Sequence, residues 1–66
     1  MEDAQKNPLW LILVEVAQSL PLYPAHKAYT RDRIMPTEPE IGAEELSHRL
    51  GMPLGEALVI IEELRR

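Results

Sequence analysis

Apolar residues recur at helical spacing in the first third of the chain. Positions 9, 12, 13, 16 and 20 are all leucine, isoleucine or valine, the spacing expected of one face of an α-helix. Asn7 is a favourable N-cap residue, and Pro8 suits the first helical position. The pattern therefore predicts a helix at about residues 8–20. Because the run Leu9–Val14 is also rich in residues that favour β-structure, a buried strand is the alternative.

The predicted first helix carries more apolar residues than one buried face can hold. Trp10, Leu11 and Val14 fall outside the stripe, so they need a second cover. The simpler interpretation is that the loop after the helix packs over them. The alternative is that they form a dimer contact.

The segment from residue 21 to residue 40 contains four prolines, a density typical of a connector. Pro24 can occupy the first position of a helix, and Ala25, Ala28 and Tyr29 would then share one side. A loop of twenty residues without secondary structure is uncommon in a compact domain. One interpretation of this segment is a short helix at about residues 24–33. The other is a loop that its apolar side chains pin to the rest of the domain.

The last third of the chain has the pattern of two helices joined by a tight turn. Gly42 is an acceptable N-cap and Gly51 suits a helix end, which predicts a helix at about residues 43–50. Pro53 can open the next helix, at about residues 53–65. We therefore predict a single domain over residues 1–66 with an all-α fold, a small three- or four-helix helix-turn-helix domain without a wing. The predicted core consists of Leu9, Ile12, Leu13, Val16, Leu20, Leu46, Leu50, Ala57, Ile60, Ile61 and Leu64.

Four features follow one another between residues 41 and 64. They are Ile41 as an apolar lead-in, a helix containing Glu45-Leu46-Ser47, a Leu50-Gly51 turn, and a longer second helix that starts at Pro53. In this order they resemble the helix-turn-helix of winged-helix transcription regulators. The resemblance implies DNA binding by the exposed front of the second helix. In that family a two-stranded wing follows the second helix, and since this chain ends at Arg66 we expect no wing.

The front of the second helix differs in chemistry from a DNA-reading helix. Base contacts require hydrogen-bonding groups, and phosphate contacts require Lys, Arg or backbone amides. Glu56 and Glu62 on this front would instead repel phosphate, and residues 41–66 carry five Glu against three Arg. We therefore expect a protein partner or a homodimer, bound through leftover apolar surface. The candidate contact residues are Trp10, Leu11, Val14, Leu54, Leu58 and Val59.

The charged residues of the last two helices predict a solvated surface. Glu45 and Arg49 are four residues apart, as are Glu62 and Arg66, the spacing of ion pairs along a helix. We therefore expect these pairs to be local.

The stretch from Tyr23 to Arg33 combines basic and aromatic side chains. Lys27, Arg31 and Arg33 could contact nucleic-acid phosphates while the tyrosines stack on bases. The simpler interpretation is that both tyrosines cover the first helix and the charges face water. The alternative function, which the family resemblance implies, is a DNA-binding transcription regulator of the winged-helix type, with these three cations as candidate contacts.

The residue pattern gives little indication of catalysis or metal binding. The chain contains no cysteine, which excludes disulfides and thiolate sites. Ser47 and His48 are neighbours on a helix and do not face each other, while His26 and His48 lack the spacing of metal ligands. We therefore expect no enzymatic activity, no cofactor and no metal.

The longest apolar run, Leu9–Val14, is far shorter than the ~20 residues that span a bilayer. The first residues also lack the basic start of a signal peptide. We therefore expect a cytoplasmic protein without membrane association.

Overall fold

The computed structural model describes residues 7–65, and within this range all regular structure is helical. Four α-helices follow one another: α1 (Pro8–Gln18), α2 (Tyr23–Tyr29), α3 (Ala43–Leu50) and α4 (Leu54–Leu64). A π-helical segment, Thr30–Ile34, continues α2 directly. The predicted small all-α fold is confirmed, and the connector contains a helix.

The start of α1 follows from its capping residues. The Oδ1 atom of Asn7 accepts a hydrogen bond from the backbone N–H of Leu9 at 2.9 Å, and Pro8 follows at the first helical position. The helix ends at Gln18, two residues before the predicted end. The Ser19 hydroxyl donates to the carbonyl oxygen of Val16 at 2.7 Å, which satisfies one terminal carbonyl.

The turn between α3 and α4 is fixed by one glycine and one serine. Gly51 ends α3 in the left-handed conformation, with φ 68° and ψ 38°. The Ser47 hydroxyl donates to the carbonyl oxygen of Met52 at 2.6 Å, so α3 holds the turn that leads into α4. Pro53 is the N-cap of α4 and Leu54 its first helical residue, one position later than predicted.

The core is centred on α4, which packs against both α3 and α1. Leu46 of α3 and Ala57, Val59 and Ile60 of α4 are completely buried. Close packing between α1 and α4 is visible at Gly55, where a Cβ atom would lie 2.9 Å from Cδ1 of Leu13. In the fold, α4 thus contacts both α1 and α3, and α2 packs against α1.

The side of α1 that enters the core differs from the predicted side. Trp10 and Ala17 are buried, whereas Leu9, Ile12 and Val16 are exposed, so their assignment to the core is wrong. Because α1 is apolar around most of its circumference, spacing alone does not select a face. The broad indole fills a large volume, and the small Ala17 two turns later allows close packing on the same side. Of the other predicted core residues, Leu46, Ala57, Ile60 and Ile61 are buried, and Leu13, Leu20, Leu50 and Leu64 are partly buried.

The connector is held by residues at both ends of its helical segment. Tyr23 and Ile34 are buried, but Tyr29 is half exposed, so the expectation that both tyrosines cover α1 is wrong. Thr30 is also buried, and its hydroxyl donates to the carbonyl oxygen of His26 at 2.8 Å. Such a bond from a threonine to the preceding helical turn tends to bend the helix. It lies at the point where α2 widens into the π-helical segment.

Candidate interaction surface

An apolar stripe runs along the solvent side of α1. Leu9, Ile12 and Val16 are three and four residues apart, which places them on one side of the helix. Their exposed fractions are 69%, 56% and 55%, so each presents most of its side chain to water. We call these three residues the α1 stripe. A row of adjacent exposed aliphatic side chains is typical of a surface that binds another molecule.

The residues predicted to form the protein contact are divided by the structure between surface and core. Leu11 and Leu54 are exposed, while Val14 and Leu58 are partly buried. Trp10 is 5% exposed and Val59 is fully buried, so the expectation that these two offer free surface is wrong. The reason is the central position of α4, because α1 and α3 cover two of its sides.

The three residues of the α1 stripe were missed because sequence reasoning assigned them to the core. The signal that distinguishes the two sides is the contrast in size along the other side of α1. Trp10, Val14 and Ala17 also follow helical spacing, and together they combine the largest and one of the smallest apolar side chains. A face that pairs a large residue with a small one suits close packing between helices better than an even row of aliphatic residues.

An open groove lies between the α1–α2 connection, α2 and the α3–α4 turn, with a volume of about 350 Å³. Most of its surface is apolar. Leu20 and Leu22 contribute from one side, and Met52 and Pro53 from the other. The groove is therefore a second apolar feature, separate from the three residues of the α1 stripe.

The polar groups in the groove belong to His26 and Glu56. The Nδ1 atom of His26 and the Oε2 atom of Glu56 are 2.7 Å apart, and Glu56 is only 3% exposed. The prediction that Glu56 lies on a solvated front of the last helix is therefore wrong. His26 on α2 pairs with Glu56 across the start of α4, a contact that the sequence did not indicate because the two residues are 30 positions apart.

A second polar cluster forms around Glu63 near the end of α4. Its carboxylate accepts hydrogen bonds from the Tyr23 hydroxyl, from Nζ of Lys27 at 3.0 Å and from Nε2 of Gln18 at 3.2 Å. Burial acts to raise the pKa of Glu63, but the hydrogen bonds from Tyr23 and Lys27 outweigh it, and the pKa lies below its usual value. Burial, together with the hydrogen bond to Glu63, raises the pKa of Tyr23 to about 12. The cluster connects α1, α2 and α4 through one carboxylate.

The three cations of the nucleic-acid hypothesis are not brought together as a free basic surface. Lys27 donates to Glu63 and lies 6.0 Å from the centre of the Tyr23 ring, within the range of a cation–π contact. The Nε atom of Arg31 donates to Asp32 at 2.8 Å, and Arg33 is exposed. Two of the three cations are therefore already engaged by carboxylates.

The predicted ion pair between Glu45 and Arg49 is present on α3, and Arg49 also contacts the preceding loop. Arg49 donates to Glu45 at 2.8 Å, four positions earlier, and it also binds Glu38 in the preceding loop. The predicted pair between Glu62 and Arg66 lies outside the described residues. Arg65 instead donates to the carbonyl oxygens of Pro39 and Ile41, which attaches the end of α4 to the loop before α3.

Residues 7–65 contain no group of three His, Asp or Glu side chains placed to hold a metal ion. Among the helices in this range, none combines the length and the apolar character needed to cross a membrane. Comparison of the chain with models of known families, with curated proteins and with solved structures finds no match. The surfaces of the molecule itself are therefore the basis for proposing a function.

Proposed function

We propose that this protein is a non-enzymatic protein-binding module and that its partner is a second copy of the same chain. The observation that carries the proposal is the α1 stripe, in which Leu9, Ile12 and Val16 are each more than half exposed on one side of a helix. Removing apolar surface from water is favourable by about 25 cal/mol per Å². Covering these side chains therefore supplies a driving force for association.

The arrangement of the α1 stripe is suited to pairing with itself. Leu9 precedes Ile12 by three residues, and Val16 follows it by four. A two-fold axis near Ile12 places Leu9 of one copy beside Val16 of the other, with the two α1 helices antiparallel. Two-fold dimers are the commonest symmetric assemblies, and they require a patch that is complementary to itself in this way.

Charge does not oppose this pairing at its centre. Glu15 is the one charged residue within α1, and it lies beside the stripe rather than in it. An antiparallel arrangement around Ile12 also keeps the two copies of Glu15 on opposite sides of the symmetry axis. The remaining repulsion between the chains comes from their net charge of −4, which salt screens.

The proposal is tested by measuring mass in solution by light scattering for the wild type, Ile12→Glu and Leu11→Glu. Because the stripe is smaller than a standard interface, we expect a wild-type dimer with a Kd on the order of 10–100 μM. Ile12→Glu places a charge at the centre of the stripe and should be monomeric at all concentrations.

Leu11→Glu is the matched control, since it adds the same charge to α1 at an exposed residue outside the stripe. It should retain the dimer, and circular dichroism should show equal helicity in all three proteins. A wild-type chain that stays monomeric up to about 1 mM, well above the expected Kd, contradicts the proposal. So does an Ile12→Glu variant that dimerises as well as the wild type.

A further inference from the structure

The groove beside α2 has the composition of a small-molecule site. None of the residues that line it belongs to the α1 stripe. Its volume of about 350 Å³ lies at the lower end of the range for ligand pockets, roughly 300–1,000 Å³. Ligand pockets are usually lined by apolar side chains with a few converging polar groups. Here Leu20, Leu22 and Met52 supply apolar surface, and His26 and Glu56 supply the polar groups.

The contact with Glu56 determines which nitrogen of His26 is available to a ligand. An ionised carboxylate only accepts hydrogen bonds, so with Glu56 ionised the Nδ1 atom of His26, 2.7 Å from Oε2 of Glu56, is the donor. In the neutral ring Nε2 is then a hydrogen-bond acceptor. No buried side-chain nitrogen or oxygen among the described residues lacks a partner, and no residue in this range bonds to Nε2. The side chain of His26 is partly exposed and lines the groove, which leaves Nε2 as the ring nitrogen available to a ligand.

The charge of the groove favours a cationic ligand. Eight residues line it, and among them Glu56 is the one carboxylate while none is lysine or arginine. A ligand with a positively charged donor complements both the free Nε2 acceptor and the carboxylate behind it. A neutral donor satisfies the acceptor alone, and an anion is opposed by Glu56.

We propose that this groove binds small apolar primary amines. The apolar body of the ligand lies against Leu20, Leu22 and Met52, and its ammonium group donates to Nε2 of His26. The carboxylate of Glu56 holds the imidazole in the required tautomer and contributes the charge preference. Binding at this site is independent of the α1 stripe.

The test is an NMR titration with benzylamine, benzyl alcohol and benzoate, which share a ring and differ in the polar group. For a ligand of this size we expect a Kd on the order of 1–10 mM for benzylamine. Benzyl alcohol should bind about tenfold more weakly, because it lacks the charge-assisted hydrogen bond. The shifts should be largest at the His26 ring and the methyl groups of Leu22 and Met52. Benzoate that binds as well as benzylamine, or shifts that are absent from these residues, overturns the proposal.

Two variants separate the charge preference from the apolar contact. Glu56→Gln should retain benzyl alcohol binding and lose the roughly tenfold preference for benzylamine. Leu22→Ala, at an exposed position on the rim, should weaken benzylamine and benzyl alcohol by the same factor, about threefold. If Glu56→Gln fails to fold, Leu22→Ala still tests the proposed site. Equal affinity of benzylamine for the wild type and for Leu22→Ala would contradict binding in the groove. Ile12→Glu should leave the benzylamine Kd unchanged, so loss of self-association and loss of amine binding are distinct results.

Discussion

At the scale of single residues, the turn between α3 and α4 depends on the backbone of Gly51. Its φ of 68° lies in the left-handed region, which a side chain with a Cβ atom adopts at a cost of about 1–2 kcal/mol. We expect Gly51→Ala to lower the free energy of unfolding by about 1 kcal/mol, measured by urea denaturation. Gly51→Asn is the matched control, because asparagine tolerates this conformation better and should lose less. Equal stability of Gly51→Ala and the wild type contradicts this explanation of the turn.

Glu63 makes the stability of the fold depend on pH. Its pKa in the folded state lies below the usual value, so the carboxylate stabilises the fold above the ordinary glutamate pKa and this contribution is lost as pH falls. We expect Glu63→Gln to be less stable than the wild type at neutral pH by about 1–2 kcal/mol.

The difference in unfolding free energy between the wild type and Glu63→Gln should shrink as pH falls below about 4, where glutamate becomes protonated. Denaturation at several pH values measures it. Glu62→Gln, at the preceding residue and outside the cluster, should show a smaller difference. A Glu63→Gln difference that is the same in acid and at neutral pH contradicts the role assigned to the cluster.

Which single residues could be predicted from sequence depends on how far away their partners lie. The caps at Asn7, Gly42 and Gly51 depend on backbone groups only a few positions before or after them, so the local sequence was sufficient to predict them. The partner of Glu56 is 30 positions away, and Tyr23 is 40 positions from Glu63. Such contacts depend on where α2 packs, which no local pattern determines.

At the scale of helices, α1 was predicted as an element but assigned the wrong buried face. Its spacing and cap indicate a helix, yet nearly every side of it is apolar, so the period of 3.6 residues carries no information about orientation. The packing of α1 against α4 shows which face is buried. In α3, where polar and apolar residues are separated, both predicted core residues face the core: Leu46 is buried and Leu50 is partly buried.

The orientation of α1 can be tested by comparing Trp10→Ala with Leu9→Ala. Loss of a buried indole costs about 3–5 kcal/mol, which is a large part of the stability of a domain this small. We expect Trp10→Ala to lose most of its helicity by circular dichroism at room temperature. Leu9→Ala, at an exposed position on the same helix, should change the free energy of unfolding by less than about 0.5 kcal/mol. Equal losses in the two variants contradict the orientation of α1.

At the scale of the whole molecule, the connector helix α2 determines which surfaces are free. Its Tyr23, His26 and Lys27 engage the two buried or half-buried carboxylates of α4, Glu56 and Glu63. The opposite side of α1 receives no such cover among the described residues, which leaves the α1 stripe exposed. Association through this stripe would therefore leave both polar clusters intact.

The antiparallel pairing of two α1 stripes is tested most directly by isotope-filtered NOE spectroscopy. A mixture of labelled and unlabelled chains, at a concentration where the dimer is populated, reports only contacts between copies. The expected contacts join the methyl groups of Leu9 in one copy to those of Val16 in the other, and Ile12 to its own counterpart. Contacts between copies that avoid all three residues, or an absence of any such contacts at millimolar concentration, contradict the pairing.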